Sequence, residues 1–318
     1  MPRAKGGAMR IGGWTRRAAA SAVLVMCAGL VACAQQPPTT PPATTDPTMP
    51  TSGRFLTPLY SDARLTPLLG QVYGTALHAS GQTVELALDL YLPPTGGGAP
   101  AARPAVVLVH GGGFTSGSRA DMAGAARSYA RRGYVAATIS YRLDPDAHDS
   151  TERYLATARN AIDDGMESVR WLRSQSAALG IDATRIAVLG SSAGGAVALG
   201  IGLADDPTPG GPLAAWSPTV AAVASTGATL TPGIDTGLVT FEATDAPSLM
   251  FHYAVDTVTG FPAAYSKTTC DQQVAAGSSC RFVQQAGNGH TVSLSADGGY
   301  FAPELAPFLW SKLALGSV

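Results

Sequence analysis

Charge is the scarcest commodity in this sequence. Asp, Glu, Lys and Arg make up 14% of its 318 residues, against roughly 25% in an ordinary soluble protein, and the formal net charge is −1. So even a balance leaves no basic patch for nucleic acid, and no such partner is expected. Cysteine is sparse too: there are four, and Cys27 and Cys33 both lie near the amino terminus. After that region no apolar run reaches the roughly 20 residues that span a bilayer, so the body of the protein is expected to fold in water. With 46% apolar residues it has enough to fill a full-sized core. Length alone does not separate one α/β domain from two.

The first 33 residues read as an export signal. Arg3, Lys5, Arg10, Arg16 and Arg17 precede an uncharged apolar run over 18–32, too short for a comfortable transmembrane helix. The run ends in Leu30-Val31-Ala32-Cys33, which resembles the bacterial lipobox and makes Cys33 the expected lipidation site; Ala32-Cys33-Ala34 also fits small-residue cleavage and plain secretion. The Arg16-Arg17 pair leaves both general and twin-arginine export open. Residues 34–53 are rich in Pro and Thr, with almost no bulky apolar side chain, and read as an extended tether. The folded domain is expected over 54–318, outside the cytoplasm, with a lipid anchor as its only tie to a membrane. In such a compartment Cys270 and Cys280, the two remaining cysteines, are expected to form a disulfide.

From residue 54 onward short β-branched runs alternate with longer Ala-rich amphipathic segments, the pattern of an α/β fold. Strands are expected at 83–92, 105–110, 135–141, 185–190, 220–226, 248–255 and 280–285, the first antiparallel. Helices are expected at 121–132, 152–179, 193–204, 261–276 and 303–315, with Gly165 interrupting the second. Right-handed crossovers then give an open, twisted, mostly parallel sheet with helices on both faces and its active site at the carboxyl ends of the strands.

One segment carries the chemistry most plainly. Ile186-Ala187-Val188-Leu189 runs into Gly190-Ser191-Ser192-Ala193-Gly194 and straight on into an Ala-rich helix, so a Gly-x-Ser-x-Gly turn stands between a strand and a helix. Gly190 and Gly194 give the room that a sharp turn needs to lift Ser192 above the sheet edge, at a helix amino terminus that favours negative charge. Upstream, Val106 to Val109 deliver His110-Gly111-Gly112-Gly113-Phe114 to the same edge. Glycines let backbone N–H groups approach an oxyanion unobstructed, which nominates Gly112 and Gly113, with the N–H of Ala193, as the oxyanion hole. His110 is expected to brace this loop rather than act as a base.

With these two motifs in place, the chain resembles the α/β-hydrolase esterases with a His-Gly-Gly-Gly loop, the branch that includes hormone-sensitive-lipase-like and bacterial feruloyl-esterase-like members. The resemblance runs from about Gly70 to Leu313 and takes in Leu88-Asp89-Leu90-Tyr91-Leu92-Pro93 and Ser140-Tyr141-Arg142-Leu143. It implies a carboxylic ester hydrolase that needs no cofactor, and no metal-ligand spacing of His and Cys is present. It also implies a triad in the order Ser, acid, His. His290 is the only histidine beyond Cys280, and Phe251-His252-Tyr253-Ala254-Val255-Asp256-Thr257-Val258 resembles the family's His-Gly-x-x-Asp-x-x-Val pattern, with Tyr253 at a glycine position. Ser192, Asp256 and His290 are therefore the expected catalytic residues, with Asp235, Glu242 and Asp245 as rivals for the acid. His252 reads as a strand-end residue, and His78 and His148 as surface residues.

Only 231–246 is free to form a cap, so an open site is expected, suited to short acyl esters or esters on polysaccharides. Two other classes stay open: a serine peptidase of the prolyl-oligopeptidase kind, which shares fold and triad but usually carries a propeller domain, and a catalytically silent binding protein.

Overall fold

The computed structural model describes residues 49–78, 80–96, 98, 100–205, 212–230 and 238–318. The signal segment with Cys33, most of the tether, and Asp235 lie outside the described residues. Among the described residues, eight strands form one sheet: β1 (Thr66–Leu77), β2 (Thr83–Leu92), β3 (Arg103–Val109), β4 (Val135–Ile139), β5 (Ile181–Ser191), β6 (Ala222–Thr226), β7 (Ser248–Asp256) and β8 (Cys280–Gly289). Their spatial order is β1-β2-β4-β3-β5-β6-β7-β8. β1 and β2 pair antiparallel, as do β2 and β4, and every other neighbouring pair is parallel.

Among the described residues, six α-helices accompany them: α1 (Ala123–Ala130), α2 (Thr151–Ser174), α3 (Ser176–Leu179), α4 (Ala193–Leu203), α5 (Ala263–Ala275) and α6 (Ala306–Lys312). The central strands are apolar on both sides because both faces are covered. Ala105, Val107 and Val109 of β3 join the core that holds Met166 of α2 and Val197 of α4. Val106 and Leu108 join the opposite core, with Tyr129 of α1 and Leu309 of α6. The alternation is the two-residue period of a strand, read out as two hydrophobic layers.

Four points differ from these expectations. The whole of β1 went unread, because Pro67, Gly70 and Gly74 look like turn residues and register shifts between Leu68 and Gln71 and between Val72 and Gly74 break the two-residue alternation. The long helix expected at 152–179 ends at Ser174, and α3 follows as a separate turn closed by Gly180 at φ +61°. Gly165 does not interrupt α2; it is where α2 crosses α4, since a Cβ there would lie 2.6 Å from Cδ1 of Ile201. The last helix is also shorter than expected, with a π-helical turn over Phe301–Leu305 leading into α6.

Candidate active site

The turn after β5 is built around a strained residue. Ser192 has φ +56° and ψ −126°, a region that costs a side-chain-bearing residue on the order of 1–3 kcal/mol. Neighbouring bonds hold it there: its N–H donates to the carbonyl of Thr226 at the end of β6 (2.8 Å), and its carbonyl accepts from the N–H of Gly195 (2.7 Å). Glycine is obligatory on either side. A Cβ on Gly190 would sit 1.9 Å from the carbonyl oxygen of Gly194, and one on Gly194 would sit 2.3 Å from that of His110.

Asp256 ends β7, and His290 follows β8 directly. The Ser192 hydroxyl lies 2.8 Å from Nε2 of His290, and Nδ1 of His290 lies 2.9 Å from Oδ2 of Asp256. With the proton on Nδ1 donated to the carboxylate, Nε2 is left to accept from the serine. The other carboxylate oxygen, Oδ1, accepts from the N–H groups of Val258 and Thr259, both at 2.9 Å. Burial pushes the Asp256 carboxyl up, but these two N–H donors and the His290 imidazole outweigh it, so its pKa falls below the usual carboxylate range.

The stretch carrying His290 is tied to Ser192 through β6. Val292 donates its N–H to Oγ1 of Thr226 (2.7 Å), the residue whose carbonyl holds Ser192. Gly227, at φ +60°, lets this stretch pass close, since a Cβ there would meet the His290 carbonyl at 2.4 Å. Thr226 was not singled out in the sequence; as the last residue of a short strand it carries no local mark of this bridging role.

The glycine loop reaches the same sheet edge from β3. Gly112 and Gly113 have φ +111° and +62°, and a Cβ on Gly111 would lie 3.0 Å from Cβ of Ser192, so the loop abuts the serine. Among the described residues the N–H groups of Gly112 and Gly113 make no backbone hydrogen bond, and Ala193 is the first residue of α4, where an N–H has no intrahelical acceptor. Three donors therefore remain open beside Ser192. His110 stacks on Tyr141, with ring centroids 4.4 Å apart, and its Nδ1 lies 2.7 Å from the Gly111 carbonyl. Burial lowers its pKa, and it braces the loop.

His252 is buried, its Nδ1 2.9 Å from the Tyr253 carbonyl and its Nε2 3.6 Å from Oδ2 of Asp256. His78 is half-buried, bonded to the Leu143 carbonyl at 2.6 Å. His148 is exposed, but it is not an ordinary surface residue: it lines the cavity in front of Ser192. Glu242 and Asp245 line a different cavity, beside Trp216, and Asp245 accepts from the N–H of Glu242. Cys270 in α5 and Cys280 at the start of β8 are joined by a disulfide with a Cα–Cα distance of 5.3 Å.

The cavity holds about 740 Å³, and Phe114, Tyr154, Ala228, Val258 and Phe261 give it apolar walls. Hydroxyls of Ser150, Thr151, Thr229, Thr259 and Thr291 are spaced around it, and among the described residues no Asp, Glu, Lys or Arg lines it. The arrangement can pass a proton from the serine to the imidazole while open N–H donors receive a negative oxygen.

Residues 88–213, which include Ser192 and the glycine loop, match the BD-FAE family model. Esterase LipI of Mycobacterium tuberculosis is 34% identical over 134 residues, covering 38% of this chain and 38% of its own length. An ethyl acetate hydrolase of Pseudomonas putida is 37% identical over 114 residues, covering 36% of this chain and 33% of its own length. The chain thus matches less than two fifths of either relative. Among solved structures, the propionate-bound esterase Est2 of Thermogutta terrifontis superimposes with a TM-score of 0.58 at 23% identity, covering 78% of this chain and 91% of its own. The tabun-phosphoramylated form of the same enzyme gives 0.59, covering 81% and 96%. At that identity the likeness is one of fold. Sheet order and superposition show the α/β-hydrolase fold, and within it residues 88–213 are similar to the BD-FAE family.

Proposed function

We propose that the protein is a serine carboxylic-ester hydrolase that works through an acyl-enzyme. The observation that carries this reading is the chain Ser192 Oγ, His290 Nε2, His290 Nδ1, Asp256 Oδ2, with links of 2.8 and 2.9 Å, standing beside three open N–H donors. In the first step His290 takes the Ser192 proton as Oγ bonds to the ester carbonyl carbon, and the carbonyl oxygen becomes an oxyanion facing the N–H groups of Gly112, Gly113 and Ala193. His290 then gives that proton to the departing alkoxide, the ester C–O bond breaks, and the acyl group stays on Ser192. Water, deprotonated by His290, repeats the attack and releases the acid. Asp256, held ionised, keeps the imidazole tautomer and offsets the imidazolium charge.

The substrate is an uncharged ester. The cavity offers apolar walls and neutral hydroxyls with no Asp, Glu, Lys or Arg among the described lining residues, which suits a short acyl group or an ester on a polysaccharide. The names of an ethyl acetate hydrolase relative and of the propionate- and butyrate-bound Est2 structures support the short-chain reading. The basic and apolar signal ending in Cys33, followed by a Pro/Thr tether, supports an exported domain held to a membrane by lipid on that cysteine.

The test is a fluorophosphonate probe together with p-nitrophenyl acetate. The expected outcome is stoichiometric labelling of the peptide containing Ser192, with loss of ester turnover in step. A folded protein that takes no label and turns over no ester excludes the reading.

A further inference from the structure

The oxyanion loop is held one peptide plane at a time. The carbonyl of Gly112 accepts from the N–H groups of Thr115 (3.0 Å) and Ser116 (3.1 Å), within the loop's own turn. The carbonyl of Phe114 accepts from the N–H of Asp144 (2.9 Å), in the segment joining β4 to α2. Between them, the carbonyl of Gly113 lies 2.8 Å from Nε2 of His148, in that same segment. A carbonyl can only accept, so the imidazole carries a proton on Nε2 and donates it.

This middle plane has most need of a clamp. Gly113 and Phe114 both have left-handed backbones, at φ +62° and +65°, and Phe114 has no glycine's licence to be there. A turn of the peptide between them would relieve Phe114 by changing ψ of Gly113 and φ of Phe114, and would loosen, through the Gly113 Cα, the adjoining Gly112–Gly113 plane that carries the open Gly113 N–H. The segment that supplies the clamp is itself anchored. The buried carboxylate of Asp144 accepts from Nε and Nη2 of Arg153, both at 2.7 Å, and accepts the N–H of Asp146 (3.1 Å). His148 leans against Tyr154, with ring centroids 5.9 Å apart.

We infer that His148 is a positioning residue of the oxyanion hole, its Nε2–H locking the Gly113–Phe114 peptide and thereby steadying, across the Gly113 Cα, the adjoining plane that carries the Gly113 N–H. The inference rests on the ester-hydrolase reading above. Unlike the bonds within the loop's own turn, this clamp comes from an exposed side chain of another segment, so it can be removed with little cost to the fold. A loosened hole weakens binding of the oxyanion, which exists only in the transition state, and leaves binding of the ground-state ester alone.

The experiment compares His148→Leu and His148→Ala, which cannot donate, with His148→Gln, which can, on p-nitrophenyl acetate. Thermal melting checks that each variant is folded. The donorless variants are expected to lose about tenfold in kcat with KM within about twofold of wild type, less than the 10²–10³ that follows loss of a whole oxyanion donor. Their rate of reaction with the fluorophosphonate is expected to fall in parallel, since its phosphoryl oxygen occupies the same hole. His148→Gln is expected to recover kcat to within about threefold. A glutamine variant no better than leucine reduces His148 to packing. A change confined to KM makes it a substrate contact, and unchanged kinetics make it a bystander; each overturns the inference while ester hydrolysis stands. A wild-type protein inert to both ester and probe overturns the hydrolase reading and this inference with it.

Discussion

Ser192 occupies a backbone region that a serine adopts only under constraint, and its three supports come from different parts of the chain: Thr226 behind it, Gly195 ahead of it and His290 above it. Ser192→Ala is expected to lower kcat on p-nitrophenyl acetate by roughly 10³ or more with the fold kept, as read by steady-state kinetics and thermal melting. Among the acids, Asp256→Asn is expected to cost far more activity than Asp245→Asn, because Asp245 spends its carboxylate on the N–H of Glu242 beside a separate cavity. A reversed ranking would reassign the acid. Two carboxylates also set an acid limit to stability. The hydrogen bond from Arg153 holds Asp144 down to about 2, and Asp256 is depressed by its N–H donors and His290 against the opposing effect of burial. In the unfolded chain both titrate near ~3.9. A depressed folded pKa contributes stability that is fully present above the unfolded value and is lost as pH falls through the folded one. The melting temperature of wild type should therefore exceed that of Asp144→Asn by a margin that is constant above about pH 5 and closes towards about pH 2. A margin independent of pH would remove Asp144 from this account.

At the scale of elements, the fold depends on close backbone approaches that only glycine permits. Gly190→Ala would drive a Cβ to 1.9 Å from a backbone oxygen of Gly194, whereas Gly299 has nothing within 4 Å of its Cβ position. The first substitution is expected to cost more than about 3 kcal/mol or to prevent folding, and Gly299→Ala to leave the melting temperature within a degree or two. The Cys270–Cys280 bond joins α5 to the start of β8, the strand that leads to His290. With a sequence separation of 10, chain entropy gives a stabilisation of about 2–3 kcal/mol. Cys270→Ser with Cys280→Ser should lower the melting temperature while kcat at room temperature stays within about twofold, because neither cysteine lines the cavity. Two alkylatable thiols in non-reduced, exported protein would remove the bond. The element hardest to read was β1, where bulges and glycines erase the two-residue period, while β3 and β5 were legible because strands buried on both faces must be continuously apolar.

On the scale of the whole molecule, a cavity that no Asp, Glu, Lys or Arg lines among the described residues fits the proposed hydrolysis of neutral esters, and the proposed anchor would hold that activity at a surface. Cys33→Ser is expected to shift the protein from the membrane fraction to the soluble exported fraction, by fractionation and immunoblot. If native mature protein is already free and begins after Cys33, it is secreted without an anchor.

The sequence by itself determined the two features that depend on local backbone demands. A sharp strand-to-helix turn requires Gly190 and Gly194, and an oxyanion loop requires consecutive glycines, so both stand as runs of small residues after apolar strands. What lies beside them depended on strand order. His290 meets Ser192 across 98 residues and Asp256 across 34, and the choice of Asp256 over Glu242 and Asp245 as the carboxylate against His290 follows from β7 lying next to β8. Tertiary structure alone brought His148 to Gly113, across 35 residues. No spacing or periodicity marks that contact, because it joins two irregular loops whose meeting is set only by how β3 and β4 pack in the finished sheet.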